Sequence, residues 1–298
     1  MNPKIACDPA LEGDPTIARI REALSAPEPF VFRDNLPLFR EIFSSGIALR
    51  ALRIALRRAV DDPDYQLPQF VMEGLIKGWT FLATEHFSIS LGVRGSGPAD
   101  ADDVPLEDIP DAQLPRIQPY PFDLFLGFLA TGHLAMDRYR IVAPTDDQGE
   151  YRLQHEGRLE VGSGDSMLLR AGEDVSVSRL RGSLVYMEIT GNPQVAVLPQ
   201  FDPKTLAFCG WISGDPVASR LELLTRTLVE FEHRGALEEM LAISRHRDHY
   251  VRWNTIRHLL RLDPDTGIER LEEARRDDHP EVREAAELTL ARLAELEA

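Results

Sequence analysis

The side chains with chemistry to offer are few, and they lie mainly in the middle of the chain. In the segment 151–161, His155 alternates in phase with Tyr151, Leu153, Leu159 and Val161, so a regular strand turns it toward the apolar side. An imidazole facing an apolar cavity can bind a ligand through one hydrogen bond or coordinate a metal. The plainer alternative is a core histidine bonded to backbone or water. Glu85 is in phase with Phe81, Phe87, Ile89 and Leu91, where a carboxylate is desolvated and its pKa rises, as acid–base work or metal ligation would require. If the polar side is the interior, the facing residue is instead His86, with Thr84, Ser88 and Ser90. His133 and Asp137 begin a further segment that runs to residue 142. His155, His86, Glu85 and Tyr151 are thus the ligand-binding candidates, and His86, His133, His155 and Glu85 are the set for an alternative metal site.

These residues need strands to hold them. Alternation over 79–93 predicts one strand, and short β segments recur through 134–142, 151–161, 166–170, 175–180 and 183–190. Turn sequences such as Ser163-Gly164-Asp165 separate them, the pattern of an antiparallel barrel or sandwich. Between them, 96–121 carries six prolines and six acidic residues, which excludes a ladder strand. Its spaced Val104, Leu106, Ile109, Leu114, Ile117 and Tyr120 predict a strap packed over an opening or side of the barrel.

Helices flank this region. Asp14-Pro15-Thr16 is a helix start, and 47–60 carries an apolar stripe of Ala48, Leu49, Leu52, Ala55, Leu56 and Ala59. Arg50, Arg53, Arg57 and Arg58 occupy the other side, either as an anion-binding ridge or as a solvated face paired with nearby acids. From residue 215 onward the chain repeats itself with a period of 31. Leu237, Met240, Ile243, Val251, Leu259 and Leu262 recur as Ile268, Leu271, Ala274, Val282, Leu290 and Leu293, and Arg252 recurs as Arg283. The organisation read from this is a helical segment 1–78, a β-barrel 79–214 and helical repeats 215–298. Arg245, His246, Arg247, His249, Arg252, Arg257 and His258 form a basic cluster on the repeats.

Composition narrows the functions. A chain of 298 residues with net charge −16 does not suit general nucleic-acid binding, which needs a basic surface. Cys7 and Cys209 cannot form a disulfide framework or a zinc ribbon. The N-terminal residues show no signal-peptide core, and no apolar run reaches membrane-spanning length, so a soluble cytoplasmic protein is expected. P-loop, dinucleotide-binding and nucleophile-elbow motifs do not occur.

The stretch Gly164-Asp165 to Gly172 and Val175, with the strand that follows, resembles the second half of a cupin, and 278–283 (DHPEVR) resembles the start of the second helix of a HEAT-like repeat. The first resemblance implies a jelly-roll barrel, and the second a short α-solenoid. The cupin pattern also implies a histidine ligand three residues after the glycine, where this chain has Val175, and an upstream pair of histidines that it lacks. The expectation is therefore an α+β protein whose cupin-like barrel holds a small molecule or peptide without a metal, while the repeats dock a protein partner. A homodimer is compatible with these features. The alternative is a cupin-type metalloenzyme using iron or manganese on the atypical ligands named above.

Overall fold

The computed structural model describes residues 4–67, 70–73, 76–95, 116–143 and 151–297. The chain divides into two compact units, Met1–Ile212 and Ser213–Ala298. The segment expected as 1–78 and that expected as 79–214, as far as Ile212, fall together in the first unit, where the N-terminal helices and the sheet share one apolar core.

In that unit, α1 (Pro15–Leu24) starts where Asp14 accepts a hydrogen bond from Thr16 N at 2.8 Å, with Pro15 in the first turn. Helices α2 (Leu36–Ser44) and α3 (Ile47–Asp61) follow. The expected apolar stripe of α3 is corrected in part. Ala48 and Ala55 are buried with Ile47 and Ala51, but Leu49, Leu52 and Leu56 are exposed. The helix packs through its small residues. Of the arginine row, Arg50 pairs with Asp14 and Arg58 with Asp8.

The strands are β1 (Ala6–Cys7), β2 (Phe70–Glu73), β3 (Ile76–Ala83), β4 (Phe87–Gly95), β5 (Leu124–Val142), β6 (Arg152–Val161), β7 (Ser166–Leu169) and β8 (Asp174–Gly191). They form one antiparallel sheet in the order β1-β3-β4-β8-β5-β6, with β2 on β3 and β7 on β5. The ends of this order, β1 and β6, are not paired with each other among the described residues, so the hydrogen-bonded ladder does not close as a barrel would. The single strand expected over 79–93 is a hairpin. Thr84 Oγ1 accepts from the backbone N–H of His86 and Phe87 and turns the chain between β3 and β4.

Alternation sorts the sheet into two faces. Phe87, Ile89, Leu91, Phe125 and Ile189 pack beneath Phe39 and Ile42 of α2. Each such fully buried side chain contributes about 1.5–3 kcal/mol relative to exposure. The opposite face carries Leu124, Leu126, Phe128, Leu134, Met136 and Tyr186. A second small sheet, β9 (Val197–Phe201) with β10 (Phe208–Ser213), covers Tyr139 and Leu153 through Phe201 and Phe208. Of the proline-rich strap, residues 96–115 lie outside the described residues. Ile117 exchanges two backbone hydrogen bonds with Phe201 on β9, at 3.0 and 2.8 Å.

Asp123 ties these parts together. Its side chain is 2% exposed and accepts from Arg33, from Ala171 N at 2.9 Å and from Gln194 Nε2 at 3.1 Å. Burial opposes ionisation of this carboxyl, but the Arg33, Ala171 and Gln194 hydrogen bonds outweigh it and hold its pKa below the usual range.

The second unit contains α4 (Pro216–Glu230), α5 (Leu237–Ile243), α6 (His249–Leu262), α7 (Pro264–Ala274) and α8 (Pro280–Glu297). Several of the repeated positions are buried. Met240, Val251, Leu259 and Leu262 are buried around α5 and α6, and Leu271, Ala274 and Val282 are buried around α7 and α8. Arg252 donates to the carbonyls of His246 and Arg247, and Arg283 donates to those of Asp277 and Asp278. No helix among the described residues is long and apolar enough to cross a membrane.

Two substitutions check this architecture by urea unfolding. Asp123→Ala strands three donors and is expected to cost about 2–3 kcal/mol at pH 7, less than a fully buried pair because Arg33 is partly exposed. Because the native pKa is depressed, Asp123 contributes stability above the ordinary aspartate value of about 3.9 and loses it as pH falls below that. The gap between wild type and variant should therefore shrink at pH 3. Val282→Asp places a charge in the closed core between α7 and α8 and should cost about 3 kcal/mol or more. An unchanged midpoint would refute the burial described for it.

Candidate functional site

The sequence candidates do not converge. His155 was expected to face inward, but its side chain is 53% exposed, with Nε2 3.4 Å from Asp137 Oδ1 and the ring 5.2 Å from that of Tyr139. A β-bulge also breaks the alternation on which that expectation rests. Arg138 pairs with Gly157 while Tyr139 pairs with His155, so Glu156 is an extra residue, and Gly157 takes a φ of +132°. The bulge moves Tyr151, Leu153 and His155 to the face opposite Leu159 and Val161. Tyr151 packs edge-on against Trp211 of β10 at 4.9 Å.

Glu85 sits in the β3–β4 turn, exposed, rather than on an apolar strand face. His86, in the same turn, stacks on Phe30 at 5.0 Å and places Nε2 3.3 Å from Glu85 Oε1. His133 is exposed and faces Glu160 at 3.5 Å. Among the described residues, His86, His133, His155 and Glu85 do not come together as a ligand set. Val175, where the cupin pattern puts a histidine, is buried with Ile117 and Phe201.

The structure instead gathers polar groups on the sheet face opposite the helices. The register pairs Ser90 with Glu188 and Gly92 with Tyr186 between β4 and β8, and Leu126 with Glu188 and Phe128 with Tyr186 between β8 and β5. These side chains therefore share one face with Thr80, whose hydroxyl lies 2.8 Å from that of Ser90. Tyr186 lies directly over Gly92, where a Cβ would fall 2.4 Å from its ring, so only glycine admits the tyrosine there. Arg94, on the same face, donates to Ser178 Oγ at 2.5 Å.

Burial pushes the Glu188 carboxyl above the ordinary range. The phenols of Tyr186 and Tyr120 are also raised, first by burial and then by the Glu188 charge, with Arg94 acting in the opposite direction. Tyr120 exposes 40% of its surface as a residue, yet its hydroxyl end is desolvated. Chemically, this is a carboxyl poised to hold or release a proton beside two phenols, flanked by small hydroxyls and an apolar wall. One carboxyl and two phenols do not make a set of imidazole or multiple carboxylate ligands, so the residues here do not fit the iron or manganese centre considered from the sequence.

The sequence reading missed Glu188, although it carried the signal. In 183–190, Leu184, Tyr186, Glu188 and Thr190 alternate with Val185, Met187 and Ile189. Ser88 and Ser90 were correctly placed on a polar face, but that face belongs to Glu188 rather than to His86.

No protein-family model matches the sequence, and no curated protein matches it. Solved structures with partial similarity include an RmlC-like cupin from Shewanella frigidimarina NCIMB 400, at 7% identity and TM-score 0.26 over 42% of this chain and 84% of that one. Another is the formate complex of Lactobacillus farciminis oxalate decarboxylase, at 12% identity and TM-score 0.26 over 44% of this chain; the match spans 32% of that protein. The Schizosaccharomyces pombe Cnp3 cupin domain is similar at 10% identity and TM-score 0.25, over 43% of this chain and 68% of that one.

The Glu188 environment has a measurable signature. A raised native pKa means the folded state holds this proton more tightly than the unfolded chain, so the stabilisation is full below about 4.3, the ordinary glutamate value, and is lost as pH rises through the native pKa. Glu188→Gln should therefore melt above wild type at pH 8, and the difference should close toward pH 4. A variant that melts below wild type at pH 8 would show that Glu188 is a satisfied carboxylate.

Proposed function

We propose that the first unit is a cupin-like binding domain that takes a small polar molecule on the face around Glu188, with Tyr186, Tyr120, Thr80 and Ser90 supplying the hydrogen bonds. The observation that carries this reading is Glu188 in mid-strand, half-buried with its carboxyl partly desolvated, on one face with Tyr186 and the paired hydroxyls of Thr80 and Ser90. A desolvated polar group costs stability, and a ligand that bonds to it recovers the loss. A small molecule suits the face better than a peptide. Peptides added as strands need an unpaired edge, and β4 and β8 are both paired on both sides.

The helical repeats, read as HEAT-like, serve partner docking in this proposal. Their support is the seven-residue spacing of Val217 and Leu224 on α4 and Phe231 at its C-terminal cap, an exposed apolar stripe.

Thermal-shift titration tests the binding proposal with neutral sugars, amino sugars and sugar acids of one size. Neutral or cationic hydroxyl compounds should raise the melting temperature of wild type but not of Glu188→Ala, with sugar acids as the comparison series. Equal shifts in both proteins, or none with any compound, would reject the proposal.

A further inference from the structure

We propose that His249, His279 and Glu281 form a site for a zinc-class divalent cation on the helical unit. One nitrogen from each imidazole and one oxygen of the Glu281 carboxylate lie within 4.8 Å of one another, and no other group of three such residues occurs among the described ones. His249 Nε2 is 3.8 Å from Glu281 Oε2. Two ligand atoms about 2.1 Å from a tetrahedral zinc ion are about 3.4 Å apart, so small side-chain rotations close the set.

The backbone brings the ligands together. His249 is the first residue of α6, whose start Asp248 caps by accepting from Tyr250 N at 2.9 Å. Glu281 lies in the first turn of α8, and His279 immediately precedes that helix. The two helix starts are held side by side by Arg252, which donates to both carboxylate oxygens of Asp277, at 2.9 and 2.5 Å. Asp277 in turn accepts from His279 N at 2.9 Å. The ligands therefore sit on rigid positions in successive repeat units.

The imidazoles stack with centroids 3.7 Å apart and planes 7° from parallel, which brings the two rings to one place between the helix starts. One detail points to a cation. His279 Nδ1 is shielded from solvent and has no partner among the described residues, and a metal ion satisfies such a nitrogen. Asp248 Oδ1, which accepts from Tyr250 N, lies 3.9 Å from His249 Nδ1, beyond hydrogen-bond distance. Two nitrogens and one oxygen favour zinc, nickel or copper over magnesium or calcium. Three protein ligands leave a fourth position for water or another donor. A bound ion would cross-link α6 to α8.

The test uses the full chain with its affinity tag removed, freed of metal by EDTA and dialysed. Calorimetric titration with zinc chloride should show one ion bound, with a higher melting temperature for the helical signal, and magnesium chloride should give neither. Cobalt(II) should develop the visible absorption of a tetrahedral nitrogen–oxygen site. His249→Ala and His279→Ala should each weaken zinc binding by at least about tenfold, and Glu281→Gln by less. His249→Phe keeps a stacked ring but removes the ligand, so a loss of binding with unchanged helicity separates coordination from folding. His133→Ala should bind as wild type does. Absence of zinc uptake by wild type, or uptake unaffected by the two histidine changes, overturns the proposal.

Discussion

The first unit depends on one buried carboxylate meeting one guanidinium. Asp123 stands where the chain enters β5, and its acceptors are shared among Arg33 from the N-terminal segment, the turn after β7 and Gln194 ahead of β9. Segments distant in sequence are thereby fixed to the start of the longest strand. A charge kept from water is costly unless fully bonded, and here Arg33, Ala171 and Gln194 all donate to it. Arg33 lies just ahead of α2, so the pair ties that helix to the sheet with which it shares an apolar core. A comparable junction operates in the helical unit, where Asp277 receives Arg252.

Much of the fold was legible because it rests on periodicity. The helix start at Asp14, the run of antiparallel strands and the 31-residue repeat all rest on local patterns that tertiary contacts reinforce. The α3 helix shows the limit of that reasoning. Its leucines satisfy the apolar pattern, yet the residues buried in the shared core are Ile47, Ala48, Ala51 and Ala55.

The site was harder to read, for reasons that are geometric. A single extra residue, Glu156, reverses the facing of everything before it on β6, and no periodicity test on 151–161 reveals such an insertion. The hairpin at Thr84 likewise cuts an apparently continuous alternation in two. Histidines drew the chemical reading, although on this sheet they lie near the surface beside acids. The desolvated group is a glutamate in the middle of a strand, in phase with Leu184 and Tyr186. Both His249 and His279 were visible as residues, and His249 in the basic cluster, but their contact depends on how successive repeats stack.

The bulge on β6 has a consequence for how this unit can vary. Facing on a strand is a parity, and parity survives substitution but not a change in count. Exchanging Glu156 for another residue would leave Leu153 under β10 and Leu159 on the opposite face. Removing it would turn one half of the strand inside out, sending Tyr151 and Leu153 toward solvent or the other core. The length of this segment is therefore more tightly constrained than its chemistry, and relatives of this protein should differ there in residue type far more readily than in residue number.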